Sequence, residues 1–148
     1  MIEIEEKTFC RMVKFYGKAH NLPPLASKIY AYLCFDFERQ GLTFDELVDV
    51  FGVSKSSVST NLNLLIKSKL VTDVARLDER KRYFQLNNDF IKIRFNDIVE
   101  RLKEELSIIE SLEEVREGHL FLNKDKGEIY KQLLRRNITN IKESLTHL

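Results

Sequence analysis

Between Leu42 and Leu86 the chain carries start and stop signals spaced too closely for anything but short helices turned sharply against each other. Thr43 is followed three residues later by Glu46, the spacing at which a hydroxyl and a carboxylate cap each other's backbone amides. Leu42 and Leu47 stand where a hydrophobic staple would close over that start. Leu47, Val48 and Phe51 form an apolar stripe, and Gly52 follows at once, where a residue tolerant of positive φ ends a helix and redirects the chain. The first helix is therefore about two turns long. Ser54 offers the next N-cap, one residue after an apolar Val53 that the turn would bury. Val58, Leu62, Leu65 and Ile66 recur at helical spacing and define the inner side of a second helix over residues 54–67. Its outer side presents Lys55, Ser56, Ser59, Thr60, Asn63 and Lys67, with no large apolar residue. Hydroxyls, an amide and lysines suit hydrogen bonding to base edges and phosphates better than docking on protein.

After Lys69 the period changes. Residues 70–74 and 83–86 are short runs rich in β-branched and aromatic side chains, separated by Asp78, Glu79, Arg80, Lys81 and Arg82. That pattern predicts a hairpin with a charged tip, a wing over about residues 76–82, whose turn contains no glycine. Net charge is only +1 over 148 residues, which excludes a uniformly basic nucleic-acid coat. Its distribution is uneven, however. Residues 53–86 hold seven lysines and arginines against three acids, net +4, leaving −3 for the rest. Positive charge is concentrated on the segment expected to meet nucleic acid.

Upstream, Phe9, Met12, Val13 and Tyr16 predict an amphipathic helix over residues 1–17, ended near Gly17. Residues 21–24 are a break containing both prolines of the chain. A helix is expected over about residues 25–40, with Ile29, Tyr30, Leu33, Cys34 and Phe37 inward and Gly41 as its stop. It supplies the first of three helices that a winged-helix core needs.

From Asn88 the helical period returns and persists. Ile91, Phe95, Ile98, Leu102, Ile109 and Leu112 step by threes and fours, interrupted around Glu105 and Leu106, until Gly118. A second helix, expected to start at the cap-like pair Asp125 and Glu128, carries Ile129, Tyr130, Leu133, Leu134, Ile138, Ile141 and Leu145. A small core satisfied by its own three helices has no room for these stripes. Their expected partner is the same helix pair of a second copy, joined by the N-terminal helix; the alternative is an intramolecular helical hairpin. The chain thus divides into an N-terminal dimerisation helix (1–21), a winged helix-turn-helix (22–87) and a two-helix dimerisation region (88–148).

No charged leader with an apolar core opens the chain, and no apolar run approaches the ~18 residues of a membrane span, so a cytoplasmic protein is expected. Cys10 and Cys34 form no CxxC pair and the histidines are not clustered, so neither disulfide, metal nor cofactor is indicated and both thiols are expected to be buried. A thiol sensor is a further alternative, because Lys7, Arg11 and Lys14 beside Cys10 would lower its pKa. His20, His119 and His147 are scattered and no glycine-rich phosphate loop is present, so an enzyme is not expected.

The stretches Leu42-Thr43-Phe44-Asp45-Glu46-Leu47, Val53-Ser54-Lys55-Ser56-Ser57-Val58-Ser59-Thr60-Asn61-Leu62 and Asp78-Glu79-Arg80-Lys81-Arg82-Tyr83-Phe84 resemble the MarR-type winged-helix transcriptional regulators, most closely their GbsR-like branch. The resemblance is specific over about half the chain. It implies a mainly α fold with a small β-hairpin wing (α+β), a homodimer, and a sequence-specific regulator, a repressor in the first instance, of double-stranded DNA at a pseudo-palindromic operator. Recognition helices would lie in successive major grooves, wing arginines would reach toward minor grooves, and a small effector of unknown identity would shift affinity. Ser54, Lys55, Ser56, Ser59 and Thr60 fall on DNA-facing positions of that pattern, and Arg80 and Arg82 on its wing tip; Asn63, Lys67 and Lys81 join them on the residue reading. The dimerisation residues are Phe95, Ile98, Leu102, Ile109, Leu112, Leu133, Leu134, Ile138, Ile141 and Leu145. Two departures stand out: Lys69 replaces a glycine before the wing, and there is no tryptophan for an aromatic cage, so no quaternary-ammonium ligand is carried over and Phe9, Tyr16, Tyr30 and Phe35 are expected in the core. A rival reading is a winged-helix module that binds protein instead of DNA.

Overall fold

The computed structural model describes residues 2–77, 79–115 and 123–148. The chain divides into two compact units, Met1–Phe90 and Ile91–Leu148. The first unit is built round α2 (Pro24–Cys34), whose Ile29, Tyr30 and Leu33 are fully buried. Pro23 and Pro24 open it, since a proline in the first turn sacrifices no helical hydrogen bond. On one side lies α1 (Glu6–Ala19), with the edge of the Tyr16 ring against Tyr30 at 4.9 Å between centroids. On the other lie α3 (Phe44–Phe51) and α4 (Lys55–Lys67), which contribute Leu47, Val58, Leu62 and Leu65 to the same core. A three-stranded antiparallel sheet of order β1-β3-β2 closes it, with β1 (Leu42–Thr43), β2 (Val71–Ala75) and β3 (Arg82–Leu86).

Three expectations are corrected here. Gly17 does not end α1: the helix continues two residues further, and Asn21, at φ +51°, takes the left-handed position beyond its end. Gly17 serves packing instead, because a Cβ there would lie 3.0 Å from Ser27 Oγ on α2. The second helix stops at Cys34, not Gln40. Beyond it the buried Asp36 accepts hydrogen bonds from the backbone amides of Gln40 (3.3 Å) and Gly41 (2.7 Å). A carboxylate that satisfies loop amides competes with helix continuation. Phe37, expected inward, is accordingly 80% exposed. The strand β1 is an addition: Leu42 and Thr43 pair with Phe84 and Tyr83 of β3.

The junction between α4 and β2 is made by Lys69 itself. It adopts φ +62°, its amide donates to Ile66 O (3.0 Å) and the Leu70 amide donates to Leu65 O (3.0 Å). This is the paired hydrogen-bond pattern with which a glycine ordinarily ends a helix. Asn87 holds the turn from the other side, its side-chain amide donating to Lys69 O (2.9 Å) and its backbone amide to Leu70 O (3.0 Å).

In the second unit, α5 (Phe90–Val115) and α6 (Lys124–Leu145) run antiparallel. Tyr130 donates to Glu105, Lys131 lies 2.8 Å from Glu113, and Arg135 lies 3.6 Å from Glu110. The cap of α6 is Asn123, which accepts from Lys126 N at 2.9 Å, two residues before the expected start. Asp125 sits in the first turn and Glu128 pairs with Lys131. The expected break at Gly118 lies outside the described residues. No helix among the described residues is long and apolar enough to cross a membrane.

A lysine in the left-handed region costs roughly 1–2 kcal/mol that a glycine avoids, partly offset by glycine's greater freedom when unfolded. Lys69→Gly is therefore expected to be neutral or stabilising by up to about 1 kcal/mol in denaturant unfolding, while Lys69→Val, β-branched in that region, destabilises by at least about 1 kcal/mol. A clear loss of stability in the glycine variant would contradict the assignment of Lys69 as the helix terminator.

Candidate nucleic-acid interface

The helix-turn-helix is built by the caps. The Thr43 hydroxyl accepts from the Glu46 amide (3.2 Å) while the Glu46 carboxylate accepts from the Thr43 amide (3.0 Å), so each end of the box satisfies an orphan donor. Gly52, at φ +60°, ends α3 with its amide on Val48 O (2.9 Å). Two residues later Ser54 caps α4, accepting from the Ser57 amide at 3.2 Å.

On the outer side of α4, Lys55, Ser56, Thr60, Asn63 and Lys67 are exposed and Ser59 is half-buried. The hydroxyls are not all free, however. Ser54 is also bonded to Ser57 Oγ (2.8 Å), and Thr60 Oγ1 donates to Ser56 O (2.9 Å). Ser54 thus acts through the helix terminus, where oriented amides favour an anion, and Thr60 keeps only its acceptor lone pairs. Lys55, Asn63 and Lys67 remain as the long, exposed donors. Ser57 and Asn61, which no outward-face pattern singles out, complete the ladder, with Asn61 Nδ2 donating to Ser57 O at 2.7 Å.

In the wing, Arg80 and Lys81 are exposed at the tip, beside Leu77 at 93% exposure. Arg82 is different: it begins β3 and forms an ion pair with Asp73 of β2, which offsets its charge. Arg76 leaves the tip altogether. Its guanidinium lies 3.5 Å over the Tyr83 ring and donates to Gln40 O. Asp78, expected at the turn, lies outside the described residues.

No family model matches the sequence, and no curated protein matches it either. Solved structures do. A transcriptional regulator aligns over 95% of this chain and 97% of its own at 16% identity, with a TM-score of 0.58. The chain shares the fold of that regulator, a winged helix-turn-helix of α+β class. Weaker alignments reach MepR, a transcription regulator of the Staphylococcus aureus multidrug efflux pump MepA (18% identity, 95% and 91% coverage, TM-score 0.45), and the adhesin competence repressor AdcR of Streptococcus pyogenes (17% identity, 94% and 93% coverage, TM-score 0.41).

Within this fold the aromatic residues expected in the core are in contact with one another. Phe9 and Phe35 lie 6.4 Å apart, and Tyr16 packs on Tyr30 and stacks on His20 at 5.8 Å. The expectation of two buried thiols fails for Cys10, which is exposed on α1, a helix with no fully buried residue. Cys34 is half-buried, and burial pushes its thiol up to about 11. Among the described residues no cluster of histidine, cysteine and carboxylates could hold a metal.

Of the proposed dimerisation residues, Ile109 and Leu134 are already buried within one chain. Ile98, Leu102, Leu112, Ile138, Ile141 and Leu145 are half-buried, and Phe95 and Leu133 are exposed. The stripes are therefore used in part by the intramolecular hairpin, because the cross-helix pairs of Lys131 and Arg135 draw the two helices together.

At pH 8 a maleimide should label Cys10 within minutes in the native protein, whereas Cys34, with almost no thiolate, should react only under denaturing conditions. Peptide mass mapping reads this directly, and rapid native labelling of Cys34 would contradict its placement.

Proposed function

We propose that the chain is a homodimeric, sequence-specific DNA-binding transcriptional regulator that acts as a repressor. The observation that carries this reading is α4, a capped helix with Lys55, Asn63 and Lys67 exposed and no large apolar residue exposed on the same side. The N-terminus of α4 at Ser54 binds phosphate through backbone amides. Lys55, Ser56, Ser59, Thr60 and Asn63 meet base edges in the major groove, with Lys67 on the backbone. Arg80 and Lys81 supply charge from the wing, and Arg82 contributes less because Asp73 already faces it.

The dimer is supported by what the single chain leaves uncovered. Ile108 (60% exposed), Val115 (78%), Ile129 (58%) and Leu133 (55%) are large apolar residues on α5 and α6. Several large apolar residues left exposed on one helical hairpin mark a place for association. With two-fold symmetry the recognition helices read half-sites about one helical turn apart, roughly 34 Å. Nothing in the exposed chemistry of α4 favours the protein-docking alternative, since its outward face lacks an apolar anchor.

Selection of bound duplexes from a random pool should return a pseudo-palindrome, and a mobility shift that retains no DNA even at low salt would overturn the regulator reading. On the selected site, Arg80→Ala is expected to weaken binding to all sequences alike and to flatten the salt dependence by about one unit of slope per subunit, about two per dimer. An unchanged slope would remove Arg80 from the DNA contact. Leu133→Glu, placing charge on the uncovered apolar surface, should shift sedimentation toward monomer.

A further inference from the structure

Arg76 stands at the start of the segment expected to form the wing, yet its side chain is turned back onto the protein. The guanidinium covers the face of Tyr83, the residue after the first of β3, and donates to the carbonyl of Gln40 in the loop that follows α2. That carbonyl has a defined direction because the loop is tied on both sides. From within, the buried Asp36 carboxylate holds the amides of Gln40 and Gly41. From the sheet side, Gly41 presses against the strand so closely that a Cβ on it would lie 3.0 Å from Tyr83 Cβ and 3.3 Å from Phe84 O. The next two residues, Leu42 and Thr43, pair directly with Phe84 and Tyr83.

We propose that Arg76 is a positioning residue for the wing: it clamps the turn end of the β2–β3 hairpin to the Asp36-anchored loop, so that Arg80 and Lys81 are presented in one orientation before DNA arrives. The proposal rests on the regulator reading for its consequence, though not for the clamp itself. Beyond its pairing with β1 and the Arg82–Asp73 ion pair, the hairpin of two five-residue strands is held at its free end by its own ladder, and a two-stranded ribbon without further support is marginal in water. The clamp adds a planar donor that bonds and stacks at once, a combination a lysine cannot reproduce. Preorganisation reduces the ordering cost that binding would otherwise bear, so the clamp contributes to affinity without touching a phosphate.

Two measurements separate the possibilities. Hydrogen exchange of the free protein should show faster exchange at residues 71–75 and 82–86 in Arg76→Ala and Tyr83→Leu, with Arg76→Lys closer to Arg76→Ala than to the unaltered protein. On the selected DNA, Arg76→Ala should weaken binding by about two- to fivefold per subunit, the range an exposed cation–π contact spans. The salt slope should stay unchanged, in contrast to Arg80→Ala, and Tyr83→Leu added to Arg76→Ala should cost little more. A slope flattened by about one unit per subunit makes Arg76 a phosphate contact and overturns the proposal, as does unchanged exchange in the hairpin. Altered exchange in a protein that binds no DNA upholds the clamp and removes the regulator reading instead.

Discussion

The relation between α4 and the hairpin depends on two backbone hydrogen bonds at the end of α4, from Lys69 to Ile66 and from Leu70 to Leu65. They reverse the chain within two residues, so that Leu65 faces the core from the helix and Leu70 and Val71 face it from the start of the strand. Were the helix to run on for one more turn, Val71 would leave its pairing with Leu86 and the period-two alternation of β2 would slip to the wrong face. The left-handed residue is therefore the point at which the two halves of the interface acquire a fixed relation. A lysine occupies it at some cost because Asn87, two bonds deep in the same turn, over-determines the geometry.

What could be read from the sequence was what is decided within four residues. The Thr43 and Glu46 box, Gly52 and the Ser54 cap all satisfy orphan backbone groups locally, and each stands where spacing puts it. The end of α2 was misread because apolar residues at helical spacing continue to Phe37, while the deciding contact is a carboxylate turned onto amides four and five residues ahead. Gly17 was misread for a related reason. A glycine near a helix end signals a stop only if its own φ is needed, and here the requirement comes from Ser27 on another helix. The strand β1 has no periodicity to detect in two residues; its existence depends on pairing with a segment some forty positions away.

The interface shows the same division between residue type and commitment. Outward hydroxyls on α4 are visible as a pattern, but whether a hydroxyl is available depends on which lone pairs and protons the helix has already taken. Thr60 and Ser54 spend their donors on Ser56 and Ser57, which leaves Lys55 and Asn63 as long donors exposed on that side. Charge behaves likewise. Seven cations in residues 53–86 describe a basic segment, yet Arg82 is offset by Asp73 and Arg76 is turned onto Tyr83. Among the described residues of the wing, Arg80 and Lys81 keep their cations exposed, with the exposed Glu79 beside them in sequence.

A helix pair that is amphipathic on more than one side can serve two associations at once, and α5 and α6 divide their apolar residues in this way. Ile109 and Leu134 are buried in one chain, whereas Ile108, one residue from Ile109, and Leu133, one residue from Leu134, are more than half exposed. Adjacent helical positions differ by about 100° in direction, so the buried and exposed residues belong to different faces. Lys131 sits on the buried side with Glu113 and Glu128 against its ammonium, and hydrogen bonding to Glu113, then to Glu128, raises its pKa and keeps it charged. The ion pair between Glu113 of one helix and Lys131 of the other ties the two helices together, while Glu128 of the lysine's own helix completes its partners. The exposed face is thereby presented on helices already held by their own pairing.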